Sequence, residues 1–482
     1  MMKHIKTDVA IIGGGTAGMV AYSRAKKNCE KVLLIEGGQY GTTCARVGCM
    51  PSKLLISAAE AARAIEEAPG FGVFPNGKPA IDGVKVMERV RGERDRFVGF
   101  VLDTIEGLPE EDRVRGYARF LDDRTLQVDD HTTVDALSIV IATGSSPAIL
   151  PMFEAAGDRL IVNDDVFYWE DLPESVVVFG AGIIGLEIGQ ALHRLGVRTK
   201  ILSKFGLVGP LNHPDIIKYA DKTFQEEFYL DTDAETLDIK KAGEQVEVTY
   251  KTLEGQEVSE KFDYLLAATG RTPNVGNLGL ENAGLELDKR GVPVFNRYTL
   301  QCGNSSIFIA GDANNEIPLL HEAADEGRIA GENAAKFPAV HAGLRTSPIT
   351  VVFTDPQIAI VGSSYSELKE TPNNCFVTGR ESFENQGRSR VMLKNRGILH
   401  IYAEYGSGIF LGAEMFGPRA EHIAHLLAWA HQQRMCIPEM LQMPFYHPVI
   451  EEGVRTALRD ANHKLNIGPG LDETSMECGP GI

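Results

Sequence analysis

The sequence predicts an α/β protein with two Rossmann-like nucleotide-binding domains and a C-terminal α+β domain built on an antiparallel sheet. Three observations carry this prediction. A glycine-rich fingerprint follows an apolar strand near the N-terminus, a second copy follows another apolar strand at residue 180, and beyond Pro348 short apolar runs alternate with turn residues. At 482 residues the chain is long for one core, and three or so domains are expected.

Composition sets outer limits. With 43% hydrophobic residues, 24% charged residues and 50 glycines, the chain reads as a soluble globular protein with many tight turns. A net charge of -18 argues against nucleic acid and against an anionic membrane as partners. No run of eighteen apolar residues occurs, and Met1-Met2-Lys3-His4-Ile5-Lys6 leads into a strand pattern rather than a signal peptide, so a cytoplasmic location is expected. Seven scattered cysteines without a C-x-x-C pair form neither a disulfide scaffold nor a zinc pattern, and no metal site is expected. In a reducing compartment a close cysteine pair favours redox chemistry over a structural role.

The first fingerprint has all its parts. Residues 8–12 form a strand, Gly13-Gly14-Gly15-Thr16-Ala17-Gly18 follows, a helix covers 19–27, and a second strand over 31–35 ends at Glu36. Gly13, Gly15 and Gly18 allow the tight turn and the close approach of a pyrophosphate to a helix N-terminus, while Glu36 suits a ribose hydroxyl pair. The stretch from Cys44 to Cys49 then runs directly into Met50-Pro51-Ser52-Lys53. If a helix extends through Lys53 to Ile65, its first turn must be distorted for the two sulfurs to meet. A thiol near a helix N-terminus has its thiolate favoured by the dipole. On these residues alone, a redox pair and two buried structural cysteines stand as equal readings.

A charged helix is expected over 84–108, strands over 115–120 and 125–128, and a buried strand over 138–144 that ends in Ala142-Thr143-Gly144. Ser145-Ser146-Pro147 marks a domain exit. The second copy is the strand 176–179, Gly180-Ala181-Gly182-Ile183-Ile184-Gly185, a helix through Leu195, and the strand 199–202. Where Glu36 stands in the first copy this one has Ser203, followed by Lys204, a cation suited to a 2'-phosphate or simply to solvent. The strand 265–271, with Gly270 in its turn, closes the second domain, and the strand 307–312, ending in Asp312, completes the first. The expected domains are 1–150 with 271–346, 151–270, and 347–482. Strands over 350–353, 358–361, 397–403 and 409–416 form the last sheet, covered by helices over 421–433 and 452–465. The tail 468–482, rich in glycine and acids, is expected to be mobile.

Taken in order, these motifs resemble the FAD-dependent pyridine nucleotide-disulfide oxidoreductases, most closely the dihydrolipoamide dehydrogenase branch, over roughly residues 5–465. Those carrying the resemblance are the two fingerprints, the second running on to Glu187, Cys44 to Lys53, Ala142-Thr143-Gly144, Gly311-Asp312, Leu320-His321-Glu322-Ala323 with Asp325-Glu326-Gly327, and His447-Pro448 with Glu452. The resemblance implies FAD on the first fingerprint, with Glu36 on the adenosine ribose, Ala118 at the adenine, Asp312 near the ribityl chain and phosphates, and Thr43, Thr143 and Gly144 alongside. Lys53 would sit near the reactive flavin nitrogen, paired with Glu187. NAD(P)(H) would lie on Gly180, Gly182 and Gly185, with Ile183 covering the nicotinamide pocket and Ser203, Lys204 and Gly270 completing the site. Cys49 would face the flavin and Cys44 exchange with substrate.

His447 would be the acid/base and Glu452 its orienting carboxylate, acting on the disulfide of the other subunit of a homodimer whose interface is the C-terminal sheet. An imidazole that titrates near neutrality serves both directions of proton transfer. The implied reaction moves two electrons between a small dithiol, dihydrolipoamide or a lipoyl-bearing protein, and NAD. The alternatives are an NADPH-dependent reductase of another disulfide, glutathione-like, or of a metal ion, and, more remotely, a flavoprotein scaffold without turnover. Thr42, Arg46, Val449 and Glu451 depart from the family pattern, and Cys478 is a single tail cysteine rather than a redox pair.

Overall fold

The computed structural model describes residues 2–77, 79–372 and 375–466. The expectations for the tail 468–482 and for Cys478 lie outside the described residues.

The first sheet takes β1 (Lys3–Ile12), β2 (Val32–Glu36), β3 (Arg113–Arg115), β4 (Ala118–Phe120), β5 (Thr125–Val128) and β6 (Thr132–Ile141) in the order β3-β2-β1-β6-β5-β4. A later strand, β17 (Ile307–Ile309), joins it on β6. β6 is long enough to carry β5 antiparallel on its first half and β17 parallel on its second. The single strand expected over 115–120 is two strands, because Gly116 turns the chain at φ +137°. Helices α1 (Thr16–Ala25), α2 (Thr43–Val47), α3 (Cys49–Glu67) and α4 (Gly83–Glu106) follow the first two strands.

The chain leaves this sheet along β7 (Ser145–Pro147) and returns along β16 (Arg271–Pro273), and these two pair antiparallel. The expected domain exit is therefore one side of a two-stranded ribbon. Between them lie β8 (Leu160–Val162), α5 (Asn163–Val166), β9 (Ser175–Phe179), α6 (Ile183–Arg194), β10 (Arg198–Leu202), α7 (Pro214–Gln225), β11 (Tyr229–Asp231), β12 (Thr236–Ala242), β13 (Gln245–Lys251), β14 (Glu257–Phe262) and β15 (Tyr264–Ala267). The central order is β11-β10-β9-β15-β8, all parallel, with β12-β13-β14 as a separate antiparallel meander. Val176, Val177, Val178 and Phe179 are all buried, as a parallel strand covered on both faces requires.

After β17 comes α8 (Leu320–Lys336), which packs on α1 with backbone against backbone. A Cβ on Gly327 would lie 2.3 Å from the Ala17 carbonyl oxygen, and one on Gly331 would lie 2.3 Å from that of Ala21. The last sheet is antiparallel throughout: β18 (Ile349–Val352), β19 (Gln357–Gly362), β22 (Phe410–Gly417), β21 (Ile398–Glu404) and β20 (Phe376–Ser382). β20 escapes the sequence pattern because it is mostly half-buried and contains Gly379, whose missing side chain admits the Ala457 carbonyl of the covering helix. Short helices α9 (Tyr365–Glu370), α10 (Gly387–Val391) and α12 (Ile437–Leu441) connect the strands, while α11 (Ala420–Gln432) and α13 (Glu452–Leu465) bury their apolar faces against the sheet. α11 leaves Leu426 and Trp429 exposed on its outer face. Among the described residues no helix is long and apolar enough to cross a membrane.

The α1–α8 contact gives the first testable outcome. Gly327→Ala forces a methyl into the Ala17 backbone, and overpacking of this kind costs about 1–3 kcal/mol. Thermal denaturation should show a lower Tm, and because α1 starts at the first fingerprint, flavin should be released more readily on dilution.

Candidate active site

The strand register brings scattered motifs to one edge. Ile12 of β1 lies beside Ile141 of β6, which lies beside Ile309 of β17. The residues that follow, Gly13, Ala142-Thr143-Gly144 and Gly311-Asp312, therefore converge at the C-terminal end of the first sheet. The second sheet repeats this with Phe179 of β9 beside Leu202 of β10 and Ala267 of β15.

The glycines of the two fingerprints match position by position. Gly13 and Gly180 take φ of +113° and +114°, and a Cβ there would lie 2.2 Å and 2.3 Å from the carbonyl oxygens of Ala142 and Ala268. Gly18 and Gly185 would place a Cβ 1.8 Å and 1.9 Å from the carbonyls of Gly13 and Gly180. The middle glycines differ: Gly15 and Gly182 face open space, and neither α1 nor α6 has a side-chain N-cap. Sterics alone demand the outer glycines. The middle one in each copy leaves a cradle at a helix N-terminus, where unpaired N–H groups suit a pyrophosphate.

Other residues fit the first cradle to a flavin dinucleotide. Glu36 accepts the N–H groups of Gly14 and Gly38, both at 2.6 Å. The Thr143 hydroxyl oxygen is buried without a hydrogen-bond partner among the described residues, as a group that faces a ligand would be. Gly144 and Gly270, at φ +68° and +116°, border open space. Asp312 accepts the Ser145 hydroxyl at 2.7 Å, and Arg271 lies 3.9 Å away, tying the β7–β16 ribbon to the turn after β17. Ala118 is buried on β4, and Thr43 is exposed at the start of α2.

That turn has its own support. Glu326, 1% exposed, accepts Gly311 N–H and the Asn314 amide, both at 2.7 Å, and pairs with Arg345 at 2.8 Å; Arg345 also holds Glu322 at 3.0 Å. At the second cradle, Ile183 opens α6 and is partly buried. Ser203 is held through its backbone, donating to Asp231 and accepting from Ala234. Lys204 is exposed and makes no ion pair among the described residues.

The cysteines lie between the cradles. Gly48, at φ −129° and ψ −117°, separates α2 from α3, so the distortion expected of one helix is a break between two. Cys44 sits in α2 and Cys49 is the first residue of α3; both are thiols in this structure. A hydrogen bond from Cys44 does most to lower Cys49, to about 7, and the Lys53 ammonium adds to it against the opposing cost of burial. The same hydrogen bond, with burial, drives Cys44 upward. The thiols are thus chemically unequal, with Cys49 the thiolate.

Three sheets supply the surroundings. Lys53 on α3 pairs with Glu187 on α6 at 2.7 Å, and Glu187, 4% exposed, accepts the Phe353 N–H just after β18 at 2.9 Å. Lys53 also lies over the Phe353 ring, 4.6 Å from its centre. Of the departures from the family pattern, Thr42 holds φ +56°, a region that favours glycine and costs another residue about 1–3 kcal/mol; its hydroxyl caps α2 through Ala45 N–H. Arg46 reaches away from the sulfurs to the Tyr168 hydroxyl at 3.1 Å.

His447 and Glu452 form a second cluster. His447 Nδ1 lies 3.0 Å from one Glu452 oxygen, and the other oxygen accepts Val449 N–H at 3.1 Å. Glu452 is buried at the start of α13, whereas the His447 side chain is 58% exposed. Among the described residues no hydrogen bond joins His447 to either cysteine, so within one chain the dyad stands apart from the thiols. Arg345 and Phe353 belong to no motif in the sequence, and Ser145 and Arg271 are legible there only as the ends of strands, because the contacts of all four run to residues outside any local pattern.

A thiol pair between two dinucleotide cradles defines an oxidoreductase that exchanges electrons between a dithiol or disulfide and a nicotinamide. Residues 7–327 match the pyridine nucleotide-disulphide oxidoreductase family, and residues 348–458 match the dimerisation domain of that family. Dihydrolipoyl dehydrogenase of Haloferax volcanii is 29% identical over 95% of this chain and 98% of the relative, and dihydrolipoyl dehydrogenase 2 of Haloarcula marismortui is 30% identical over 94% and 96%. LpdA from Mycobacterium tuberculosis superposes with a TM-score of 0.79 at 25% identity, covering 94% of this chain and 99% of that one. The HOCl-induced flavoprotein disulfide reductase RclA from Escherichia coli, as its Cu(II) complex, shares the fold at a TM-score of 0.77 and 22% identity, covering 92% and 98%.

The chain belongs to the pyridine nucleotide-disulphide oxidoreductases and is close to the dihydrolipoyl dehydrogenases. It is a flavoenzyme that uses FAD and NAD(P)(H) to move electrons to or from a sulfur substrate, and its C-terminal dimerisation domain supports a homodimer.

The thiol geometry predicts a pH profile. With the dithiol reduced, alkylation of Cys49, followed by mass spectrometry of its peptide, should rise with a midpoint of about 7. Cys44→Ala removes the hydrogen bond that does most to stabilise the thiolate, so the midpoint should move to higher pH.

Proposed function

We propose that this enzyme oxidises dihydrolipoamide, free or carried on a lipoyl protein, and passes the electrons to a nicotinamide acceptor, NAD+, in the cytoplasm. The observation that carries this reading is geometric: Cys44 and Cys49 flank the break at Gly48, beside the Lys53–Glu187 pair that joins α3 to the helix of the second cradle, and the two cradles match glycine for glycine. Residues 1–150 with 271–346 would hold FAD, 151–270 the nicotinamide nucleotide, and 347–482 the dimer contact.

FAD, when bound, accepts the electron pair from the dithiol and hands it to the nicotinamide. The chain's own residues do the rest. Gly13, Gly15 and Gly18 receive the flavin pyrophosphate, Glu36 and Ala118 its adenosine end, Thr43, Thr143, Gly144 and Asp312 its remaining length, and Lys53 its reactive ring edge. Gly180, Gly182, Ile183, Gly185, Ser203, Lys204 and Gly270 border the nicotinamide nucleotide. A substrate thiolate attacks Cys44 of the oxidised pair, and the S–S bond breaks with its electrons going to Cys49, whose thiolate the Lys53–Glu187 pair stabilises. The second substrate thiol then attacks the mixed disulfide and releases Cys44, leaving an oxidised substrate and a reduced pair. The proton from the substrate thiol passes to His447 of the partner subunit, held by Glu452.

Two residues just after β10 favour NADP(H) as a second reading. Ser203 stands where the first copy has an acid, and Lys204 is an exposed cation without an ion pair among the described residues. Parallel assays with NAD(H) and NADP(H), each against dihydrolipoamide and glutathione disulfide, separate the readings. Turnover of dihydrolipoamide with NAD+ is expected; activity confined to NADPH and glutathione disulfide overturns the proposed substrate.

Two variants follow. His447→Gln should lower kcat by about 100-fold or more, the scale of a positioned acid/base, while leaving the flavin spectrum unchanged. Ser203→Glu should lower kcat/KM for NADP(H) relative to NAD(H), measured with one substrate at fixed concentration.

A further inference from the structure

We infer that His213, Asp215 and His400 form a binding site for a divalent cation of the zinc type, where α7 meets the C-terminal sheet. None of the three belongs to the redox site. His213 immediately precedes α7, Asp215 lies in its first turn, and His400 projects from β21. His213 and His400 are 5% and 2% exposed, with ring centres 4.1 Å apart and edge-on. One ring nitrogen of each histidine and one oxygen of Asp215 all lie within 4.8 Å of one another.

The independent observation is His400 Nδ1, which is buried and makes no hydrogen bond among the described residues. A buried polar atom left unpaired is costly, and a nitrogen of the same ring lies within 4.8 Å of a His213 nitrogen and an Asp215 oxygen. His213 is also fixed from behind: the buried Glu414 accepts the backbone N–H groups of Asn212 and His213 at 2.8 Å and 2.9 Å. Two imidazoles and one carboxylate select a borderline cation such as Zn2+ or Co2+ over Mg2+ or Ca2+.

The site needs a modest closure. Bonds of about 2.0–2.1 Å in a tetrahedron set ligand atoms about 3.3 Å apart. Asp215 supplies the movement, since it is exposed and its Oδ2 lies 4.0 Å from His213 Nδ1. It must release Arg380, which holds the same carboxylate at 3.4 Å and is itself half-exposed. Arg380 thus occupies the position of counter-charge that the cation would take over, and the 3.2 Å bond from Asp215 N–H to His213 Nδ1 gives way to the ion. His213 also lines a cavity of about 360 Å³ together with Tyr365, Cys375, Arg380 and Tyr405, which leaves room for water beside the cluster.

The test uses the FAD-loaded dimer carrying Cys44→Ser and Cys49→Ser, which removes the competing dithiol, and titrates it with Co2+ and then Zn2+. One Co2+ per chain is expected, with ligand-field absorption beyond the flavin bands that Zn2+ abolishes. Asp215→Asn should weaken Co2+ binding at least tenfold, Arg380→Gln should strengthen it, and His400→Gln should remove it. The two surface variants decide the matter even if His400→Gln does not fold. Absence of the ligand-field band, or equal affinity in the parent, Asp215→Asn and Arg380→Gln proteins, overturns the site.

Discussion

The ion pair between Lys53 and Glu187 is the constraint on which the active centre depends, because it is where all three sheets meet. Glu187 is buried, and an unpaired carboxylate at that depth would be strongly unfavourable. Lys53 from the first unit and the Phe353 N–H leading out of β18 satisfy it from opposite sides. The same face of α6 continues the contact. Gln190 exchanges two hydrogen bonds with the Asp355 backbone, and Arg194 binds the Asp355 carboxylate and carbonyl. Residues spaced three and seven positions after Glu187 thus grip one short segment, as helical periodicity allows. A shift of either nucleotide-binding sheet would separate Glu187 from Lys53, the ammonium that favours the Cys49 thiolate.

The inequality of the cysteines follows from this frame and from Gly48. The break at Gly48 makes Cys49 the first residue of a 19-residue helix while leaving Cys44 in the short helix before it. Cys49 therefore has the helix dipole, Lys53 and the Cys44 thiol all favouring its charge, and Cys44 has a burial cost with its proton shared toward Cys49. One sulfur is suited to hold negative charge and the other to be attacked and released. A two-electron couple shifts by about 30 mV for each 1.4 kcal/mol, so these local terms are large enough to set the direction of exchange.

Much of this was legible in the sequence, for a physical reason. The two fingerprints depend on glycines whose environments are local, a strand end, a tight turn and a helix start, so spacing alone reveals them. The Cys44–Lys53 run is equally compact. Contacts made by tertiary packing left no pattern: Arg345 with Glu326, Ser145 with Asp312, and His213 with His400 are joined only when separate elements pack together. β20 was missed because its burial does not alternate, and the strand at 115–120 was misread because Gly116 splits it. Arg46, unassigned from the sequence, bonds to Tyr168 rather than acting on the thiols.

Dithiol exchange through this site requires that Cys44 and Cys49 store electrons alongside the flavin. Anaerobic titration with dithionite, followed by flavin absorbance, measures this directly. The wild-type protein should take up about four electrons per FAD, two for the flavin and two for the disulfide, and Cys44→Ser should take up about two while keeping its yellow colour. Uptake of only two electrons by the oxidised wild-type protein, or an unchanged stoichiometry in the variant, would contradict the account.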